Sequence, residues 1–363
     1  MSIRWVTVRI SAAAVVLVAT IAGCGAPATE TRQLPPVKVN AASMREGFST
    51  MDRLVEAARK EGTLTVIGLP RDWINYGEII DTFSREYGIK VDQLEPGASS
   101  EREIQAAGRL RPDVFDLSLE VAVAHAGSFA PYRVQGWQDI PDRVKDPAGR
   151  WYAGYGGYMS IAYDSSKVAA PSSYADLLKP GYRVALPGDP RQSAAAFGGV
   201  MAVSLGDGGA KVERGVEFFD RLRRAGNLAP AERTANAVID WDYQNAARAA
   251  AAAEAGRPGW KVVVPGGTAL GGYYVQAISR NAPHPAAARL WEEFLFSDRG
   301  QNLMMKGYAR PVRTEALRMR GALDQALAAK LPATRAEPVY LTVSEIDAAK
   351  GYLRHRWDAK KAG

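Results

Sequence analysis

Past Thr50, short apolar runs alternate with amphipathic stretches, and the period switches between two and about 3.6 residues, as it does between strands and helices. Ser49-Thr50-Met51-Asp52 has the form of a capping box. Leu54, Val55 and Ala58 give the next turns an apolar face and Gly62 ends them, which predicts a helix. T-L-T-V-I at 63–67 predicts a strand, and a second helix runs from Glu78 to Tyr87, closed by Gly88. Another strand begins at Ile89, a helix near Ser100, and R-P-D-V-F-D-L at 111–117 reads as the next strand. Strand–helix–strand order predicts an α/β fold with a parallel sheet and right-handed crossovers.

Farther along, W-Y-A-G-Y-G-G-Y-M-S-I-A-Y at 151–163 is rich in aromatics and glycine, and its alternation from Tyr158 to Tyr163 predicts a strand. A short helix at 174–178 and a strand at 183–186 follow. P-G-D-P-R-Q-S then leads into an apolar helix ending near Val203, and 215–225 forms an amphipathic helix. Val238-Ile239 is a short strand that runs into D-W-D-Y. Strands are expected at 261–264 and 271–279, one helical stretch over 285–306, and a last helix after the capping box Thr342-Val343-Ser344-Glu345. No internal repeat is present. Glycine-rich segments meet strands near 158–164 and 264–274. Two crossings there would interrupt one lobe with another and leave a hinge between them. The expected division is lobe 1 at 48–160 and 266–363, with lobe 2 at 161–265. Ligands of open α/β sheets sit beyond the carboxyl ends of the strands, so the loops at those ends are where a site is expected.

Composition narrows the chemistry. Hydrophobic residues make up 47% and charged residues 23% of the 363, as in an ordinary globular protein large enough for two lobes. The formal charge is +7, falling to +5 for residues 24–363, which hold 44 basic and 39 acidic side chains. Lysines and arginines are scattered among acids and form no basic stripe, so nucleic acid is not an expected partner. The single cysteine, Cys24, and the three histidines, His125, His284 and His355, allow no disulfide within the chain and no zinc-ligand spacing. No metal site and no cofactor are expected.

The first 24 residues read as a delivery signal. Arg4 and Arg9 precede an apolar run at 10–22, too short to span a membrane. Ile21-Ala22-Gly23-Cys24 resembles the bacterial lipobox, in which the chain is cut before the cysteine and the cysteine is lipidated. On this reading 1–23 is a signal peptide, Cys24 the lipidation site, and 24–47 a flexible tether rich in Pro, Ala and Thr. The protein is then exported and anchored to the outer face of a membrane.

The segment G-G-Y-Y-V-Q-A-I-S-R-N-A-P-H-P-A-A-A-R-L-W-E-E-F-L-F-S-D-R-G-Q carries a specific resemblance. It is similar to family 1 extracellular solute-binding proteins of bacterial ABC importers, nearest the branch for polyamines, ferric iron and related small solutes. D-W-I-N-Y-G-E-I-I-D-T-F at 72–83, R-P-D-V-F-D-L at 111–117, Y-A-D-L-L-K-P at 174–180 and A-L-P-G-D-P-R at 185–191 extend the resemblance over roughly 48–360. It implies a two-lobed, type II periplasmic-binding-protein fold whose lobes close on a solute. A permease in the membrane is the implied partner, and the protein itself is expected to be a monomer and not an enzyme.

Candidate ligand contacts follow from the residues. At D-W-D-Y, Asp240 and Asp242 share one face while the strand continues and Trp241 and Tyr243 the other, as in a cage for an ammonium or guanidinium group. The plain alternative is that one Asp caps the following helix and the other is solvated. Trp73, Asn75 and Tyr76 follow the first strand at its carboxyl end. Asp189, Arg191 and Ser193 surround a predicted helix start that suits an anion. There Asp189 is a possible N-cap and Pro190 a first-turn residue. Glu120, Tyr155 and Tyr158 lie near the expected cleft or crossing. Of the adjacent Tyr273 and Tyr274, only one can reach the cleft from a regular strand, and Tyr274 is taken as that one. His284, between prolines, reads as a loop residue. Cationic and anionic features together favour an amine-containing solute, polyamine-like or zwitterionic. A ferric or ferric-chelate binder, a ligand-presenting sensor, and a hydrolase using Asp240 and Asp242 are the alternatives.

Overall fold

The computed structural model describes residues 34–206, 209–334 and 337–357, so the leader and Cys24 lie outside the described residues. Among the described residues eleven strands form one connected sheet: β1 (Thr63–Ile67), β2 (Lys90–Leu94), β3 (Val114–Ser118), β4 (Phe129–Ala130), β5 (Tyr152–Asp164), β6 (Val184–Ala185), β7 (Ala237–Trp241), β8 (Trp260–Val263), β9 (Thr268–Ser279), β10 (Arg310–Pro311) and β11 (Glu337–Val339). The main path runs β2-β1-β3-β9-β5-β7-β6. β1 is parallel to both β2 and β3, as the strand–helix–strand order predicts, while β9 joins β3 antiparallel.

β5 ties the two parts of the sheet together. Its first half pairs with β9, from Tyr152 opposite Gln276 to Tyr158 opposite Gly271. Its second half pairs with β7, from Met159 opposite Trp241 to Tyr163 opposite Ala237, and with β8. The chain passes one way through β5 and returns from β8 into β9. This is the two-lobed α/β fold that the residue pattern implies.

V-F-D-L-S in β3 and A-V-I-D-W in β7 are buried along their whole length. Strands covered on both faces need continuous apolar runs, so the single acid in each run, Asp116 and Asp240, stands out. The helix Pro285–Leu295 is buried from Ala286 onward. Its first amides, Ala286 N and Ala287 N, donate to the Glu61 carboxylate at 3.1 and 2.8 Å. Its buried Glu293 accepts from the Tyr132 hydroxyl at 2.7 Å and from Gln135 N at 3.0 Å.

Some boundaries differ from expectation for local reasons. The helix Met51–Glu61 is capped by Thr50, one residue later than the capping box suggests. The single helical stretch over 285–306 is two helices, because the Ser297 hydroxyl accepts from Gly300 N at 3.0 Å and starts a new one, Asp298–Lys306. The helix after P-G-D-P-R-Q-S starts at Ala194 with Ser193 as its cap, so neither Asp189 nor Pro190 belongs to its first turn. Residues 38–47, expected within the tether, are hydrogen-bonded into the body. Lys38 N donates to Gly47 O at 2.9 Å, Arg133 N to Ala42 O at 2.8 Å, and Arg289 Nε to Ala41 O at 2.9 Å. The last helix, Val343–Arg356, has the capping box of Thr342 and Glu345 in full.

Candidate functional site

Beyond the carboxyl ends of β1, β2 and β3 lies a cavity of about 390 Å³. One side is built from Gly68, Pro70 and Trp73 after β1, residues 97–100 after β2, Glu103, and Asp116 on β3. The facing side is Gly188, Asp189 and residues 192–195, with Tyr274 of β9 between the two. The volume falls in the range of small-molecule sites. Two helices begin at its wall, Ser100–Leu110 and Ala194–Val203. The first amides of a helix have no partner within it and carry the positive end of its dipole. The caps are in place: Ser99 Oγ accepts from Arg102 N at 3.4 Å and Ser193 Oγ from Ala196 N at 3.2 Å.

The floor is acidic. Asp116 is 3% exposed and accepts from the Tyr155 hydroxyl at 2.8 Å and Gln276 Nε2 at 2.6 Å, with the Tyr76 hydroxyl also directed at it. Burial outweighs these bonds and pushes its pKa up to about 7. Glu103 is 1% exposed. It receives the amide of Asp116, yet its Oε2 has no hydrogen-bond partner. Burial, then the Asp116 carboxyl, holds the Glu103 pKa well above the carboxylate range. Gly68 makes this possible, since its φ is +69° and a Cβ there would overlap the Glu103 carboxyl.

Aromatic rings from four segments cluster beside the acids. Trp73 Nε1 donates to Tyr155 Oη at 2.7 Å, so Trp73, Tyr155 and Asp116 form one chain of hydrogen bonds. The Trp73 ring meets Tyr274 edge-on at 5.4 Å and Tyr243 at 5.5 Å, while Tyr155 stacks on Tyr274 at 5.6 Å. Burial raises the hydroxyl pKa of Tyr155, Tyr243 and Tyr274 well above the phenol range.

The structure thus brings Trp73, Asp189, Ser193 and Tyr274 to the cavity, with Tyr155 and Tyr243 in the ring cluster behind Trp73. Arg191 pairs with Asp189, which also accepts from Arg191 N at 2.9 Å. Tyr273 and Tyr274 point apart as a regular strand requires: Tyr273 stacks on Tyr340 at 5.2 Å, and Tyr274 on Tyr155. Asn75 is turned inward, where its Nδ2 donates to Glu78 Oε2 at 3.0 Å and Leu303 O at 3.2 Å, and Tyr76 is fully buried. Glu120 accepts from Ser118 Oγ at 2.9 Å and Lys350 Nζ at 3.3 Å, beside a smaller adjoining cavity that Trp241 also lines. His284 Nδ1 lies 2.8 Å from Asp113 Oδ2, which makes it a loop tie.

The acids of D-W-D-Y do not form the expected cage. Asp240 Oδ1 accepts from Trp241 N at 2.7 Å and its Oδ2 lies 3.4 Å from Arg248 Nη2, while burial pushes its pKa up to about 6. Asp242 Oδ2 accepts from Arg310 Nε and Nη2 at 3.1 and 2.9 Å, and its Oδ1 from Tyr158 N at 3.0 Å. The Arg310 guanidinium also lies over the Tyr158 ring at 5.0 Å. Each acid has its own arginine, and they face different surroundings because the strand ends at Trp241, which occupies the cap position. Neither Asp is the N-cap. Glu103 and Asp116 are the acids of the cavity, and the mid-strand acid of V-F-D-L was the available signal for the second of them. Among the described residues no group of three or more His, Cys, Asp and Glu could hold a metal ion, and no helix is long and apolar enough to cross a membrane.

Residues 114–336 match the family described as bacterial extracellular solute-binding protein. Solved structures share the fold at low identity. The periplasmic binding protein AgtB of A. tumefaciens R10, in complex with agropinic acid, is 18% identical over 81% of this chain and 98% of its own, with a TM-score of 0.62. AfuA of Actinobacillus pleuropneumoniae, with fructose-6-phosphate bound, is 15% identical over 81% and 98%, with a TM-score of 0.60. Iron-bound HitA of Pseudomonas aeruginosa is 19% identical over 82% and 99%, also with a TM-score of 0.60.

Proposed function

The chain belongs to the bacterial extracellular solute-binding proteins, and on that premise we propose that it captures a small zwitterionic solute, an amine that also carries an acid group, and passes it to an ABC permease. The observation that carries this reading is one cavity holding both kinds of partner. Glu103 and Asp116 lie beside Trp73 and Tyr274, and the same wall holds the starts of the helices at Ser100 and Ala194.

The ammonium group sits against Asp116 and Glu103, with Trp73 and Tyr274 presenting ring surface to it. Its charge favours the ionised carboxylates, so binding expels protons that burial holds in the empty site. The acid group takes the open amides of the two helix starts. Lobe 1 comprises 48–160 and 266–363, and lobe 2 comprises 161–265. A solute that contacts both lobes only when they meet shifts the population toward the closed state. Cys24 carries the lipid anchor on the outer face of the membrane, and the monomer binds its solute without covalent chemistry.

A thermal-shift screen tests this with amino acids, putrescine, spermidine, sulfate, fructose-6-phosphate, agropinic acid and ferric citrate. A zwitterion at 100 times its Kd adds about 2.7 kcal/mol of stability. A shift with sulfate or fructose-6-phosphate and none with any amine would refute the amine arm. A visible tyrosinate–iron band after loading with ferric citrate would assign the site to iron.

A further inference from the structure

We propose that the solute also carries a compact, largely apolar substituent, seated in an annexe behind Tyr274. This rests on the zwitterion reading for the head group and adds the tail. A second cavity, of about 80 Å³, shares Tyr274 and Ala194 with the main one. Its wall is Leu119, Phe197, Trp241, Leu270, Leu341 and Ile346. The carboxylate at its edge, Glu120, is already held by Lys350 and Ser118. The annexe therefore offers apolar surface where the main cavity offers charge.

Glycines give the annexe its shape. The Cη2 edge of Trp241 reaches β9 because residue 272 is glycine, and a Cβ there would overlap that edge. Gly198 stands by the same edge of the ring, and an added Cβ there would collide with the Met159 side chain. Trp241 is 7% exposed, and its Nε1 has no hydrogen-bond partner. The wall thus suits a branched alkyl group.

The test is calorimetric titration with paired compounds that keep the head and change the tail: alanine and leucine, methylamine and isoamylamine, acetate and isocaproate. Leucine is expected to bind at least about tenfold tighter than alanine, since even one methylene in an apolar pocket is worth that much. Leu341→Trp and Ile346→Trp fill the annexe from partly exposed positions, and circular dichroism checks that both variants fold. In each, the gain of leucine over alanine is expected to fall below about threefold. Equal affinity for alanine and leucine overturns the annexe and leaves the head-group reading standing. Binding by acetate and isocaproate alone refutes the zwitterion, and the ratio between those two then judges the annexe. No tail-dependent gain in any pair, or a gain that both tryptophan variants retain, overturns it.

Discussion

Asp116 is where stability and binding pull against each other. Its carboxyl is buried and titrates at about 7, against about 4 in an unfolded chain. Between those values the folded protein holds a proton that the unfolded chain has lost. Stability from this group therefore falls as pH rises through that window and levels off above it. Asp116→Asn removes the titration. Urea unfolding at about pH 5 and pH 8 is expected to show the variant gaining on the natural protein by on the order of 2 kcal/mol at the higher pH. Asp240, which titrates at about 6, is present in both proteins and cancels. A constant gap would mean that Asp116 stays ionised throughout. At this scale the sequence was half legible. Trp73, Ser193 and Tyr274 could be placed because a loop after a strand, a helix start and strand alternation each have a local signature. Glu103 and Asp116 meet only through the fold. So do the arginines that occupy the D-W-D-Y acids, Arg248 at a separation of 8 residues and Arg310 at 68.

Elements make the site by where they begin and end. The Ser193 hydroxyl holds the start of Ala194–Val203, and Ser193→Ala is expected to cost about 1 kcal/mol of stability. The same change should weaken solutes that carry an acid group while sparing simple amines. Calorimetry on both classes checks this, and equal losses in the two would detach the helix start from the acid arm. The helix Asp242–Glu254 is fastened at its first residue, which joins it to β10 through Arg310 and to β5 through Tyr158 N. Asp242 is fully buried, and burial holds its pKa above the usual carboxylate range despite Arg310. Arg310→Met leaves that carboxyl unpaired and is expected to lower stability by about 3 kcal/mol. The loss should be larger at about pH 8 than at pH 5, because only the ionised form needs the arginine. A loss of equal size at both, followed by urea unfolding, would mean the pair contributes packing and not charge. Elements with a clear period and local caps were legible, β1 and the capping-box helix Val343–Arg356 above all. The two-residue strands β4 and β10 have no period to read and exist because long neighbours offer them an edge.

The molecule as a whole works as a binding protein if the acids, the rings and the helix starts meet one solute at once. The α/β order and the two crossings announce such a cleft, because among the described residues the two parts of the sheet are joined through β5, and the chain returns between them from β8 to β9. The chemistry inside the cleft was less legible, since it depends on which side chains the closed walls leave unpaired. Small-angle scattering is expected to show a smaller radius of gyration with a zwitterion bound than without, and an unchanged radius would separate binding from closure. The most direct measurement is a calorimetric titration of a zwitterionic amino compound at about pH 6, repeated in buffers of different ionisation heat. Asp116, titrating at about 7, is then mostly protonated, so its ionisation on binding contributes close to one proton of release, before whatever Glu103 adds. The natural protein should bind with that release, and Asp116→Asn should bind weakly or not at all. Equal binding by both proteins with no proton released would contradict the account.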